Sequence, residues 1–176
     1  MIRIGYAPGA YDLFHIGHLN LLRCAKERCD FLIAGVVADN VLIRHKKVTP
    51  VIPEADRLEI VRNIRFVDMA RLAMTNDKTE IWKELRFNVL FKGDDWSGTE
   101  KGRALEHDFA ALGVEVVYFP YTQGTSSSAL RRTIAPSANY RRPSAEIAVR
   151  RVFRGNRVSG TVERENTPDL KASIGV

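Results

Sequence analysis

The chain has 176 residues, 45% of them hydrophobic and 27% charged, with a formal net charge of +6. That length suits one domain of ordinary size, or a domain with an extension, and the composition excludes global disorder. No apolar run approaches the ~20 residues needed to cross a bilayer, so no membrane association is expected.

The charge is unevenly placed. Residues 136–176 carry eight Arg or Lys against four acids, whereas the rest of the chain holds 19 against 17. A nucleic-acid role inferred from overall basicity would rest on that segment alone, and none is expected. The amino-terminal residues Met1–Tyr6 lack the pattern of a cleaved signal, and the two cysteines read as reduced thiols. Both features imply a cytoplasmic location.

In chain order, Ile2–Ala7 reads as a short strand ending at Pro8 and Gly9, and residues 16–28 as a helix with Leu19, Leu22 and Ala25 at helical spacing. Cys24 and Cys29 are expected to share that helix. Between strand and helix lies Gly9-Ala10-Tyr11-Asp12-Leu13-Phe14-His15-Ile16-Gly17-His18. His15 and His18, three apart, fall on one side of a first helical turn, where free amides and the positive helix end favour an anion, most naturally phosphate. Gly17 lets a ligand approach the backbone. Zinc ligation and a purely structural role are the competing readings of the pair, the first lacking a nearby third ligand.

Phe31–Ala38 is continuously apolar, the pattern of a strand buried on both faces of a parallel sheet. A polar stretch with Lys46 and Lys47 follows. Pro53 then opens a helix with Leu58, Val61 and Ile64 on one face, and Phe66–Met69 reads as a brief strand. Residues 78–86 (helix), Val89–Lys92 (strand), Thr99–Leu112 (helix), Val114–Phe119 (strand) and Ser126–Ile134 (helix) complete the alternation. Such alternation implies an α/β fold with a doubly wound parallel sheet and ligands at the carboxyl ends of its strands. From Pro136 the pattern degrades, apart from a possible short helix at 144–153. The chain is accordingly divided into a domain at 1–135 and a basic, partly flexible extension at 136–176.

His15-Ile16-Gly17-His18 after the first strand resembles the HIGH motif of the nucleotidyltransferase superfamily. Lys92-Gly93-Asp94-Asp95-Trp96, Ile64-Arg65-Phe66-Val67-Asp68 and Tyr121-Thr122-Gln123-Gly124-Thr125-Ser126-Ser127 resemble, in the same order, the GDDW, IRYVD and RTEGIST segments of glycerol-3-phosphate cytidylyltransferase and its relatives. The resemblance covers residues 1–135. It implies a Rossmann-like nucleotidyltransferase fold, transfer of CMP from CTP to a small phosphorylated alcohol, magnesium with the triphosphate, no metal held by the protein alone, and a homodimer. A phosphonate acceptor such as 2-hydroxyethylphosphonate, adenylyl transfer from ATP to a sugar phosphate or FMN, and a non-catalytic nucleotide- or RNA-binding module are the alternatives.

The same resemblance assigns candidate roles. His15, His18 and one of Lys46 and Lys47 act on the reacting phosphate. Gly9, Ala10, Tyr11, Gly17, Asp94, Tyr121, Thr122, Ser126 and Ser127 bind the nucleotide. Asp12, Arg57 and Arg65 bind the acceptor. Tyr121 stands where the family motif begins with arginine, removing a bidentate phosphate donor. Ala10 stands where GTFD has threonine, and Arg44-His45-Lys46-Lys47 is followed by Val48-Thr49-Pro50 and no aromatic run.

Overall fold

A computed structural model describes residues 2–134. The expected extension at 136–176, with its possible helix, lies outside the described residues.

Five parallel strands form one sheet in the order β3-β2-β1-β4-β5: β1 Ile4–Gly9, β2 Phe31–Val37, β3 Met69–Ala73, β4 Val89–Gly93 and β5 Glu115–Phe119. The α-helices are α1 Ile16–Lys26, α2 Asp39–Lys46, α3 Glu54–Arg62, α4 Lys78–Leu85, α5 Glu100–Ala110 and α6 Ser127–Thr133. The order reverses between β1 and β4, which places the topological switch point there. Among the described residues no helix is long and apolar enough to cross a membrane.

Helices cover both faces, so the central strands are apolar on both sides. On one face Leu22 and Ala25 of α1 and Val61 of α3 pack on Ala7, Val36 and Phe91. On the other, Ile81 of α4 and Phe109 of α5 pack on Tyr6, Phe87 and Leu90. The alternation Leu90, Phe91, Lys92 along β4 follows the two-residue period of a strand and sends Lys92 to the α4–α5 side. All five interior residues of β2 are buried, in keeping with its unbroken apolar run.

The fold class matches the sequence reading, and three local features differ. The third strand is Met69–Ala73, not Phe66–Met69. It is an edge strand whose Arg71 pairs with Glu84, so its sequence is not a clean apolar run. Residues 64–67 instead form turns, with the Ile64 and Val67 amides donating to Val61 and Ile64 carbonyls. The polar stretch after β2 contains α2, where only Val41 and Leu42 are buried, too few for a helical stripe to be visible. Cys29 is outside α1, which stops at Lys26; its thiol donates to the Ala25 carbonyl.

Candidate active site

The carboxyl ends of β1, β4 and β5, with α1, α2 and α6, enclose a cleft of about 650 Å³, within the range of small-molecule sites. Pro8 and Gly9 end β1, and the loop that follows holds two non-glycine residues with positive φ, Tyr11 (52°) and Leu13 (49°). Such strained residues persist only where surrounding contacts over-determine them. The Tyr11 ring is buried beneath the loop, its hydroxyl donating to the Ala7 carbonyl at 2.8 Å.

His15 is the N-cap of α1, and its Nδ1 accepts from the Gly17 amide at 3.0 Å. His18 Nδ1 in turn accepts from the His15 amide at 3.4 Å. Each neutral imidazole that accepts at Nδ1 carries its proton on Nε2, so the helix start sets both tautomers as Nε2–H donors. The rings stack with centroids 4.0 Å apart, and Tyr11 meets His18 edge-on at 5.5 Å. Burial lowers the His15 pKa. Burial, reinforced by His15 and opposed by Asp12, brings that of His18 down to about 4. Both rings are therefore neutral donors at pH 7. A β-carbon on Gly17 would fall 2.8 Å from His15 Cε1 and displace the capping ring.

NMR of the imidazoles should show this directly. His18 is expected to stay neutral, with the proton on Nε2, as pH falls through 6.5, the ordinary value, and to titrate only near 4. Between those values the unfolded chain binds more protons than the folded one, so folding stability falls as pH falls across that window. A His18 midpoint at or above 6.5 would contradict the assignment.

Asp12 lies at the cleft floor with 1% exposure. Its carboxylate accepts from the Val51 and Ile52 amides (3.1 and 2.9 Å) and from Arg131 at 2.8 Å, and its carbonyl accepts from the Ser127 hydroxyl at 2.7 Å. Burial pushes its pKa up, but the Ile52 amide, Arg131 and the Val51 amide outweigh that and hold it below the usual carboxylate value. Asp12 thus ties the first loop to the 50s loop and α6 while also lining the cleft. Arg131 is a cleft cation that the sequence reading did not single out, and its buried Nε–H has no partner among the described residues.

Of the expected residues, His15, His18, Lys46, Gly9, Ala10, Gly17, Asp12, Tyr121, Thr122, Ser126 and Ser127 all line this one cleft. Ser126 also caps α6 by accepting from the Ala129 amide, and Thr122 accepts from Asn20 at 3.2 Å. Five others are placed elsewhere. Tyr11 is beneath the loop. Lys47 is the left-handed C-cap of α2 and does not line the cleft, which leaves Lys46 of that pair. Asp94 accepts from the Tyr121 amide at 3.2 Å and supports the wall from behind.

Arg57 and Arg65 do not face the cleft either. Arg57 is fully buried and donates to the Ile52, Ala10 and Val37 carbonyls and to Asp39, so its guanidinium is engaged by its own chain. Arg65 is exposed and sits over the Phe66 ring at 4.9 Å. Asp68, in the same motif, accepts from the Leu32 amide and pairs with Lys26.

Besides Arg131, sequence reasoning missed Lys92, whose ammonium stands 4.1 Å from the Trp96 ring centroid. Burial, with Lys78 and Lys46 nearby and Asp95 opposing, lowers its pKa to about 7. The signal was available: a lysine closes the buried strand Val89-Leu90-Phe91 at its carboxyl end, where ligands bind.

A family model described as cytidylyltransferase-like matches residues 6–133. The FAD synthase of Pyrococcus abyssi is 34% identical over 116 residues, 64% of this chain and 77% of that protein. The bifunctional protein HldE of Streptomyces coelicolor is 34% identical over 133 residues, 75% of this chain but 28% of that protein. HldE of Acidiphilium cryptum is 36% identical over 96 residues, 54% of this chain and 20% of its own length. The chain thus spans roughly a quarter of the HldE proteins it matches. Among solved structures, the lipopolysaccharide core biosynthesis protein of Thermoplasma volcanium superposes with a TM-score of 0.59 at 22% identity, covering 71% of this chain and all of that one. Pantoate-beta-alanine ligase of Francisella tularensis superposes with a TM-score of 0.55 at 15% identity, covering 74% and 65%. These two show the same fold.

Proposed function

The chain belongs to the cytidylyltransferase-like family, and we propose that it transfers a nucleotidyl group from a nucleoside triphosphate to a small phosphorylated acceptor. In this reading an acceptor oxygen attacks the α-phosphorus in line. The new O–P bond forms as the bond to the β-phosphate oxygen breaks, and pyrophosphate leaves with the electron pair. The acceptor's proton, where it carries one, passes to solvent.

The observation that carries the reading is the pair of neutral Nε2–H donors held by α1. Two donors fixed before the reaction, in a partly buried site, stabilise charge developing on the α-phosphate oxygens without reorganising. Lys46 and Arg131 add positive charge along the cleft, and the Ser126, Ser127 and Thr122 hydroxyls serve the leaving phosphates. Arg131 supplies the guanidinium that Tyr121 cannot. Magnesium is the cation that charge considerations call for. The cleft offers it Asp95, which has no ion pair among the described residues, and one carboxylate suits an ion carried chiefly by triphosphate oxygens. When bound, it would neutralise the triphosphate.

The motif resemblance favours CTP as donor. The similarity to a protein named FAD synthase favours ATP with FMN as acceptor, and a sugar phosphate is the other acceptor for an adenylyl donor. Pyrophosphate release separates them. The full chain is assayed with CTP or ATP against glycerol 3-phosphate, phosphocholine, phosphoethanolamine, 2-hydroxyethylphosphonate, a sugar 1-phosphate and FMN. One donor and one acceptor are expected to release pyrophosphate together, each without the other giving background. Pyrophosphate from neither donor with any acceptor, in a protein that also fails to bind either nucleotide, would sink the reading.

A further inference from the structure

A second pocket, of about 240 Å³, opens beside β3 and α4, and its lining includes Tyr6, Arg71, Met74, Glu80, Ile81 and Glu84. It shares no lining residue with the cleft. At its floor is a buried polar atom without a partner. Tyr6 is fully buried, and among the described residues its hydroxyl makes no hydrogen bond. The ring is held by stacking on Phe87, centroids 5.0 Å apart. From β1 it crosses β2 over Gly35, where a β-carbon would collide with the hydroxyl. Gly35 pairs with Arg71 of β3, so the hydroxyl is aimed at the edge strand and into the pocket. Burial outweighs the nearby Arg71 and raises the Tyr6 pKa, so the group stays a neutral phenol, able both to donate and to accept. Native proteins rarely leave such a group unsatisfied, because it has given up its hydration for nothing.

The mouth is charged. Arg71 pairs with Glu84 at 2.6 Å. Glu80, one turn earlier on the same face of α4, is exposed and has no ion pair among the described residues. Two carboxylates against one guanidinium give the mouth a net negative charge, which attracts a cation and repels an anion. Ala73 and Ile81 add buried apolar walls. The volume is several times that of the single water that would satisfy a phenol, and it admits a small organic molecule.

We propose that this pocket is a second binding site, separate from the cleft, for a small hydroxylated amine. The hydroxyl of the amine meets Tyr6 at the floor, and its ammonium group lies by Glu80 and Glu84 at the mouth. Burying a charge costs far more than burying a hydroxyl, so the neutral end goes in and the charge stays near water.

The full chain is titrated by calorimetry with 2-amino-1,3-propanediol, and its tyrosine rings, labelled with carbon-13, are followed by NMR. Three comparison probes are glycerol, which lacks the amine, glycolate, which carries the opposite charge, and methylammonium, which lacks the hydroxyl. The aminodiol is expected to bind and to shift the Tyr6 Cζ resonance, with each comparison probe at least about tenfold weaker. Tyr6→Phe is expected to fold normally, since it removes a hydroxyl that has no partner, and to weaken aminodiol binding about tenfold. Glu80→Gln, at an exposed position, is expected to weaken it by a similar factor. Saturating the chain with non-hydrolysable analogues of CTP or ATP is expected to leave it unchanged.

Equal aminodiol binding in the wild type and both folded variants would overturn the proposal, as would its displacement by a nucleotide analogue. Glycerol or glycolate binding as tightly as the aminodiol would overturn the assigned chemistry. Absence of aminodiol binding would leave the pocket to water and overturn the site itself. The nucleotidyl-transfer reading is tested separately, because a chain that takes up neither nucleotide analogue can still bind the amine at Tyr6.

Discussion

His18→Ala is expected to lower kcat by about two to three orders of magnitude, or ~3–4 kcal/mol of transition-state stabilisation, while nucleotide affinity changes only a fewfold. The asymmetry follows from the geometry. His18 is neutral, so in the ground state it adds little Coulomb attraction for a triphosphate. Its Nε2–H is held by the His15 amide on the other nitrogen and by the flanking His15 and Tyr11 rings. It gains most when charge accumulates on the α-phosphate oxygens. His18→Gln, which restores an N–H donor without the ring, is expected to recover part of the loss. Single-turnover rates and analogue binding are read side by side, with a thermal melt to establish folding. Turnover at the wild-type rate in a folded His18→Ala protein would remove the histidine pair from the mechanism.

Arg57→Met is expected to destabilise the domain by about 3–5 kcal/mol, because it removes one partner from a buried charged network. The side chain has no exposure, and its loss leaves the carbonyls of Ala10, Val37 and Ile52 and one oxygen of Asp39 without their donors. Ala10 follows β1, Val37 ends β2, Asp39 opens α2 and Ile52 precedes α3, so one guanidinium holds together the backbone on which the cleft is built. Arg57→Lys should fall between, since a single ammonium cannot span the same fork of acceptors. Urea unfolding measures the shift. A Met variant of nearly wild-type stability with a selectively raised KM for the acceptor would return Arg57 to the acceptor site.

The two arginines illustrate how far a motif carries. Arg57 and Arg65 both lie near recognisable segments, and as residue types either could bind an anion. Whether a guanidinium is free to do so depends on which carbonyls surround it, and those of Ala10 and Val37 come from segments 47 and 20 residues away in the chain. Asp12 is likewise held by partners remote in sequence, Val51, Ile52 and Arg131, which make it a tie between loops at the cleft. The histidines needed no such knowledge. Their i, i+3 spacing, the glycine between them and the strand before them are local, and a helix start sets their orientation within four residues.

Determined by the sequence itself were the alternation of strands and helices, the parallel sheet, the location of the site at the strand ends and the histidine pair. Each depends on periodicity or on neighbours within a turn or two, where backbone geometry leaves few choices. The tertiary structure alone decided the partners of Asp12 and Arg57 and the entry of Arg131 into the cleft. It likewise decided which of Lys46 and Lys47 lines the cleft and the approach of Lys78 and Lys92 to Trp96. Charged side chains are long and find partners across the fold, so their roles follow from burial and from competition between acceptors distant in sequence.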